Sequence, residues 1–220
     1  MKIIPERIIT EDGSHTLRHP VLNDTYHSIR GAMGESGHVF IQAGLDCIEK
    51  PHIRVLEMGF GSGLNALLTF KRIHETGKKA DYETVELYPV AEDVVEQLNY
   101  VNPEEPLYNA FLKMHRSQWG VPVEIDERFL LTKHEKSLLE MEFATIFDVI
   151  YFDAFAPDTQ PELWTPEIFQ KMYTHTAPGG ILVTYSAKGT VKEALRAAGY
   201  EVKRLPGALG KRHMLKAVKK

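Results

Sequence analysis

Ile53-Arg54-Val55-Leu56-Glu57-Met58-Gly59-Phe60-Gly61-Ser62-Gly63-Leu64-Asn65 joins an apolar run to three closely spaced glycines. The apolar run up to Met58 predicts a buried strand, and apolar residues recur at helical spacing from Leu64 onward. Glycine tolerates the backbone angles of a tight turn and lets a ligand approach the main chain closely. We therefore expect a strand, a glycine-rich turn and a helix, with a nucleotide-like cofactor on the turn. The alternative is a structural turn that binds nothing, which the flanking strand and helix disfavour.

A dinucleotide cofactor matches this turn poorly. Its fingerprint is G-x-G-x-x-G, whereas Leu64 stands here where the third glycine should fall. Residues 58–63 instead resemble motif I of class I S-adenosylmethionine-dependent methyltransferases. In that family an acidic residue just before the turn, here Glu57, helps to hold the methionine end of the cofactor.

The chain on either side of the turn is typical of an α/β protein. Strand-like and helix-like stretches alternate from Ile53 onward, an order that indicates a parallel sheet flanked by helices. We expect a Rossmann-like, mostly parallel seven-stranded sheet in residues 46–220. Residues 1–45 precede it and predict a β-hairpin around Asp12-Gly13, followed by a mobile glycine-rich loop.

Two acidic residues are placed to share a crevice with the glycine turn. Glu86 ends the predicted second strand, 23 residues past Gly63, near the offset at which a carboxylate meets an adenosine ribose. Asp153 ends the predicted fourth strand, residues 147–153. Because ligands bind outside the carboxyl ends of parallel strands, we expect Asp153 to face the same crevice as Gly59.

The third strand is less well defined by the pattern. Residues 123–125 and 129–131 predict either that strand or a small hairpin. Many class I methyltransferases contact adenine through an acidic residue after this strand, and the corresponding positions are Lys133, His134 and Glu135. This departure leaves the adenine contact unassigned, and we expect His134 to have a surface or helix-capping role.

The composition narrows the class of protein. Net charge is −4, yet residues 188–220 carry ten Lys or Arg against two Glu, and this basic region suits a polyanion or a solvated tail. No signal peptide or membrane span is readable, so we expect a cytoplasmic protein without a membrane partner. The histidines are dispersed and Cys47 is single, so we expect no metal and a buried thiol.

Several stretches together resemble the methyltransferase domain of the MnmC family, also found as a stand-alone form called MnmD. The most specific is Asp153-Ala154-Phe155-Ala156-Pro157 followed by Pro161-Glu162-Leu163-Trp164. The others are Asp24-Thr25-Tyr26, Gly59-Phe60-Gly61-Ser62-Gly63-Leu64-Asn65, Glu86-Leu87-Tyr88-Pro89 and Gly210-Lys211-Arg212-His213-Met214-Leu215.

The resemblance implies methylation of the aminomethyl group of 5-aminomethyl-2-thiouridine at the tRNA wobble position, with S-adenosylmethionine as donor. The product is 5-methylaminomethyl-2-thiouridine. We expect the stand-alone form without an oxidase domain, and separate enzymes that supply the aminomethyl uridine. The alternatives are methylation of another RNA position or a small-molecule amine, and a non-catalytic cofactor- or RNA-binding module.

Roles follow for the individual side chains. Asp153 is the predicted catalytic residue, because a carboxylate can accept the proton of an alkylammonium substrate. Tyr26, Phe155 and Pro157 are expected to hold the uridine, by stacking or as pocket walls. Lys188, Lys211 and Arg212 are candidates for phosphate contacts. The expected cofactor residues are Glu57, Gly59, Phe60, Gly61, Gly63, Asn65, Glu86, Leu87 and Asp153.

Overall fold

An eight-stranded sheet runs through the centre of the protein, in a computed structural model that describes residues 4–220. The strands are β1 (Glu6–Ile9), β2 (His15–Arg18), β3 (His52–Met58), β4 (Lys79–Glu86), β5 (Pro122–Asp126), β6 (Phe129–Glu135), β7 (Phe147–Phe152), β8 (Thr176–Thr184), β9 (Glu201–Pro206) and β10 (His213–Val218). The α-helices are α1 (Ala32–Ser36), α2 (Leu64–Thr76), α3 (Glu92–Val95), α4 (Pro106–Arg116), α5 (Pro166–Thr174) and α6 (Gly189–Ala197).

The strand order of this sheet is β5-β6-β4-β3-β7-β8-β10-β9. β6, β4, β3, β7 and β8 pair in parallel, whereas β10 runs antiparallel to both β8 and β9. The predicted Rossmann-like sheet with flanking helices is therefore confirmed. β5 adds an eighth, antiparallel edge strand, so the hairpin and the third strand of the sequence prediction are both present.

Both faces of the sheet are covered by apolar side chains. β7 is buried along its whole length, and its successive residues point to opposite faces. Tyr151 packs in one apolar cluster with Phe40 and Tyr82, and Phe152 packs in another with Trp164 and Phe169. Burial of each such side chain contributes about 1.5–3 kcal/mol, so the central strands are held in a fixed position at the edge where the site forms.

The N-terminal hairpin is confirmed, because β1 and β2 form a separate two-stranded antiparallel sheet. The mobile glycine loop after it is wrong. Helix α1 passes directly into a π-helical segment, Gly37–Gln42, which buries Val39, Phe40 and Ile41. Burial of this apolar face orders a segment whose glycines alone predict flexibility.

Two further expectations from sequence meet different outcomes. Cys47 lies in a short 3₁₀ turn, Leu45–Cys47, and its thiol is exposed, so the predicted buried thiol is wrong. Thr165 caps helix α5 as expected, since its side chain accepts a hydrogen bond from the Ile168 amide and Pro166 begins the helix. In residues 4–220, no helix is both long and apolar enough to cross a lipid bilayer.

Candidate active site

The glycine turn between β3 and α2 adopts backbone angles that favour glycine. Gly59, Gly61 and Gly63 have φ values of +90°, +49° and +73°. A Cβ atom on Gly59 would lie 3.0 Å from the Asp153 carbonyl oxygen, and one on Gly61 would lie 2.7 Å from the Tyr26 ring. The turn is therefore packed between the end of β7 and the N-terminal segment, and side chains there would fill the space against it.

A cavity opens at the carboxyl ends of β3, β4, β6 and β7. It encloses about 840 Å³, part of it open to solvent. Its wall includes nine of the residues predicted or quoted as motif members from the sequence: Tyr26, Gly59, Phe60, Gly61, Glu86, Leu87, Tyr88, Asp153 and Phe155. The fold thus brings together the glycine turn, both predicted carboxylates and two aromatic side chains.

Glu86 lies in the wall of this cavity beside the glycine turn. One carboxylate oxygen accepts a hydrogen bond from the Gly61 amide at 2.9 Å, and the other accepts one from the Tyr88 amide at 2.8 Å. Burial raises the pKa of Glu86, while these amide hydrogen bonds oppose the rise. Each carboxylate oxygen can accept a second hydrogen bond, so Glu86 retains capacity for ligand hydroxyl groups.

Asp153 stands at the end of β7, with its backbone amide bonded to the Met58 carbonyl at 3.2 Å. Asn65 Nδ2 donates a hydrogen bond to Asp153 Oδ2 at 2.7 Å. Burial raises the pKa of Asp153 well above its usual range. The Asn65 hydrogen bond and the charge of Lys211 oppose this rise, and the charges of Glu35 and Glu57 add to it.

Glu57 lies behind the turn and outside the cavity wall. It is fully buried, and Thr84 Oγ1 donates a hydrogen bond to its Oε2 at 2.8 Å. Burial raises the pKa of Glu57 to about 8. Among the described residues, Glu57 Oε1 and Asn65 Oδ1 are buried acceptors without a hydrogen-bond partner. The predicted contact to the methionine end thus belongs to a buried polar layer beneath the cofactor turn.

These groups fit S-adenosylmethionine, which carries ammonium and sulfonium charges and two ribose hydroxyls. Buried carboxyl groups suit the cationic end, and Glu86 suits the hydroxyls. The glycines leave room for close approach of the ligand to the main chain. Asn65 and Glu57 supply the unpaired acceptors at the same end of the cavity.

The N-terminal segment forms an aromatic roof over the cavity. The Tyr26 ring contacts Gly61 and lies 5.1 Å from the Phe155 ring, edge to face. His19 packs against the same group, 5.5 Å from Phe155. Asp24 fastens this segment to the loop after β7, because its Oδ2 accepts a hydrogen bond from Thr159 Oγ1 at 2.9 Å. Pro157, predicted as a wall residue, lies outside the cavity wall.

The end of β6 differs from the sequence interpretation. The strand runs to Glu135, so Lys133 lies inside the sheet, where its ammonium donates to the His115 carbonyl at 2.7 Å and lies 4.5 Å from the Trp119 ring. His134 Nε2 lies 2.9 Å from Glu83, in place of a surface or capping role. The cavity wall here is formed by residues 136–139 instead.

His27 is a wall residue that sequence reasoning did not single out. It is buried, and among the described residues its Nδ1 has no hydrogen-bond partner. Burial, with a contribution from the charge of Lys211, lowers the pKa of His27 to about 4, so the ring is neutral at physiological pH. Its neighbour Tyr26 was the only signal in the sequence, through the Asp24-Thr25-Tyr26 motif.

The three predicted phosphate contacts lie outside the cavity wall. Lys211 pairs with the buried Glu35 carboxylate, and its ammonium lies 5.0 Å from the Tyr185 ring. Lys188 pairs with Asp158, and Arg212 is exposed. In residues 4–220, no group of three or more His, Cys, Asp or Glu side chains is arranged to hold a metal ion.

Comparison with known proteins gives the family context of this site. The family model described as S-adenosyl-L-methionine-dependent methyltransferase matches residues 99–220. Two similar proteins are the tRNA 5-methylaminomethyl-2-thiouridine biosynthesis bifunctional proteins MnmC of Ralstonia nicotianae and Burkholderia thailandensis. They are 30% and 31% identical over 87% and 97% of this chain. The chain spans about a third of their length, 31% and 35% respectively.

Solved structures extend the similarity to the whole chain. MnmC2 from Aquifex aeolicus superimposes with a TM-score of 0.79 and 26% identity, over 100% of this chain and 71% of that one. Spermidine synthase from Thermotoga maritima superimposes with a TM-score of 0.55 over 99% of this chain and 72% of that one, at 15% identity. The second likeness concerns the fold alone.

Proposed function

Because the chain belongs to the S-adenosyl-L-methionine-dependent methyltransferases, we propose that it methylates the aminomethyl group of 5-aminomethyl-2-thiouridine at the tRNA wobble position. The product is 5-methylaminomethyl-2-thiouridine. One observation carries the proposal: Asp153 stands in the same cavity as the glycine turn, in a place suited to receive a proton. The names of the relatives that the chain matches agree with this substrate.

The glycine turn and Glu86 hold the donor, with the unpaired acceptors of Glu57 and Asn65 beneath it. S-adenosylmethionine, when bound, supplies an electrophilic methyl group on a sulfonium. Correct placement of the acceptor beside that methyl group supplies much of the rate, because it replaces a bimolecular encounter.

Asp153 solves a problem set by the acceptor. A primary alkylamine is mostly protonated at neutral pH and then has no lone pair for methyl transfer. Asp153 accepts hydrogen bonds from this amine and finally takes its proton. Because burial raises the pKa of Asp153, the carboxylate is a stronger base than an exposed aspartate.

The aromatic roof suits a nucleobase turned out of an RNA loop. Tyr26 and Phe155 present ring faces and edges at the side of the cavity that adjoins Asp153. Aromatic stacking is the usual means of holding an unstacked base, and it adds about 1–3 kcal/mol per base.

The test is nucleoside analysis of tRNA that carries the unmethylated aminomethyl uridine, after incubation with the protein and labelled S-adenosylmethionine. We expect one methyl group to appear on the wobble nucleoside. Asp153→Asn is the matched control, because it keeps the size of the side chain but cannot take the proton. It should bind S-adenosylmethionine normally and turn over at least about 100-fold more slowly.

Two results would contradict the proposal. The first is wild-type protein that leaves tRNA unlabelled but methylates a small-molecule amine or another RNA position. The second is an Asp153→Asn variant with near-normal turnover, which would remove Asp153 from the chemistry.

The setting of this activity is part of the same proposal. It takes place in the cytoplasm on tRNA, after separate enzymes have supplied the aminomethyl group. Residues 1–45 act as an extension that covers the site, and residues 46–220 act as the methyltransferase domain. Burial of Phe40 and Ile41 against the sheet core supports a packed extension.

A further inference from the structure

A second groove lies beside the aromatic roof, between residues 18–30 and the loop 207–211. We call it the basic groove, and its wall includes Arg18, Asp24, Ser28, Arg30, Gly210 and Lys211. It encloses about 1250 Å³ and is open to solvent. No wall residue is common to the basic groove and the cofactor cavity in the described chain, so the groove is a separate site.

The loop that forms one side of the groove is held in place by defined contacts. Leu209 packs on α1, where a Cβ atom on Gly31 or Gly34 would lie 2.6 Å or 3.0 Å from its Cδ1. Arg30 Nη1 donates a hydrogen bond to the Leu209 carbonyl at 3.3 Å. The two sides of the groove are thus fixed to each other before any ligand arrives.

Two arginines supply the positive charge of the groove. Arg30 is exposed, and in residues 4–220 it has no carboxylate within ion-pair distance. Arg18 has only an exposed partner, Glu6, at 3.4 Å, and such pairs are weak in water. Lys211 differs, because the buried carboxylate of Glu35 neutralises it. Asp24 is occupied by hydrogen bonds from the Thr25 amide and Thr159.

The inner end of the groove leads toward the catalytic carboxylate. Lys211 lies over the ring of Tyr185, whose hydroxyl donates to the Ala154 carbonyl at 2.8 Å. Ala154 follows Asp153 directly and also lines the cofactor cavity. A base that reaches Asp153 from this side would therefore leave its sugar and phosphates in the basic groove.

We propose that Arg18 and Arg30 bind the backbone phosphates of single-stranded RNA next to the nucleotide whose base reaches Asp153. The guanidinium group suits this role, since its planar fork matches phosphate oxygens in two parallel hydrogen bonds. The inference rests on the proposed function, and it moves the principal phosphate contacts from the C-terminal lysines to the N-terminal segment. RNA fits better than an acidic peptide because the groove continues toward aromatic rings and a methyl-transfer site.

The test measures binding of an RNA stem–loop with an anticodon-arm sequence by fluorescence anisotropy over a range of salt concentrations. The Arg18→Gln/Arg30→Gln variant should bind about tenfold more weakly or worse. Its slope of log Kd against log salt should fall by about two, one for each lost phosphate contact. The Arg18→Lys/Arg30→Lys variant keeps the charge and should recover part of the affinity.

A matched control removes two cations elsewhere. Lys71 lies on α2, and Lys79 begins β4 at the end of the sheet opposite the site; both are exposed. Lys71→Gln/Lys79→Gln should bind the stem–loop like the wild type. All three variants should bind S-adenosylmethionine with wild-type affinity, which verifies that the cavity remains folded.

The outcomes separate this inference from the proposed function. If the arginine-to-glutamine variant binds RNA as the control does, the basic groove is not the phosphate site, while tRNA methylation by the wild type still stands. Loss of affinity for polyglutamate but not RNA would make the groove a protein-docking surface and overturn the inference. A wild-type protein that neither binds the stem–loop nor methylates tRNA would overturn both.

Discussion

Asn65 Nδ2 donates a hydrogen bond to Asp153 Oδ2 across 2.7 Å, which joins the first turn of α2 to the end of β7. The bond links the element that carries the cofactor turn to the proposed proton acceptor. It also opposes the effect of burial on the pKa of Asp153. Donor placement and proton acceptance therefore share one contact.

Asn65→Ala tests this contact through the pH dependence of methyl transfer. Without the amide, the pKa of Asp153 rises further, so the acid limb of the pH–rate profile moves to higher pH. Loss of a hydrogen bond to a charged group costs about 1.5–3 kcal/mol, so turnover near neutral pH should fall at least roughly tenfold. Asn102→Ala, in an exposed loop, is the control. An unchanged profile in Asn65→Ala would show that the contact does not tune Asp153.

Gly61→Ala tests the packing between the glycine turn and the roof. The new Cβ atom would lie 2.7 Å from the Tyr26 ring at a residue whose φ is +49°. We expect about 1–2 kcal/mol of lost stability from the backbone alone and roughly tenfold weaker binding of S-adenosylmethionine by calorimetry. Gly189→Ala is the matched control, since no atom lies within 4 Å of its Cβ position at the start of α6. Equal affinities for the two variants would contradict the packing argument.

Glu57→Gln tests the buried carboxyl beneath the turn. The folded pKa of Glu57 is about 8 and its ordinary value is 4.5, so between these values the folded protein holds a proton that the unfolded chain has lost. Stability should therefore fall as pH rises through this window, by up to about 1.4 kcal/mol per pH unit. Urea unfolding across the window should give a flatter dependence for Glu57→Gln. The exposed Glu127→Gln should keep the wild-type slope.

The strand, turn and helix around Gly59 were predictable because their signals are local. Apolar periodicity and glycine spacing lie within one short segment, and Asp153 follows from the rule that parallel strands end at one edge. The segment 31–42 was not predictable in the same way. Its glycines indicate a loop, whereas burial of Val39 and Phe40 against the sheet makes it helical.

The parts of the site that the sequence missed depend on distant contacts. Tyr26 lies on Gly61 because Asp24 fastens its segment to the loop after β7, and no local pattern contains that pairing. Lys133 is buried under Trp119 because β6 runs farther than its apolar residues suggest. A lysine in a strand predicts a solvent-facing position unless an aromatic ring and a carbonyl receive it.

The position of β3 in the middle of the sheet affects how the chain folds during its synthesis. One edge of β3 pairs with β4, which follows after a single helix, but the other edge pairs with β7, which begins only at Phe147. Until that strand has left the ribosome, the apolar backbone edge of β3 has no native partner. Uncovered strand edges promote aggregation, so production of this protein should benefit from slow translation or chaperones.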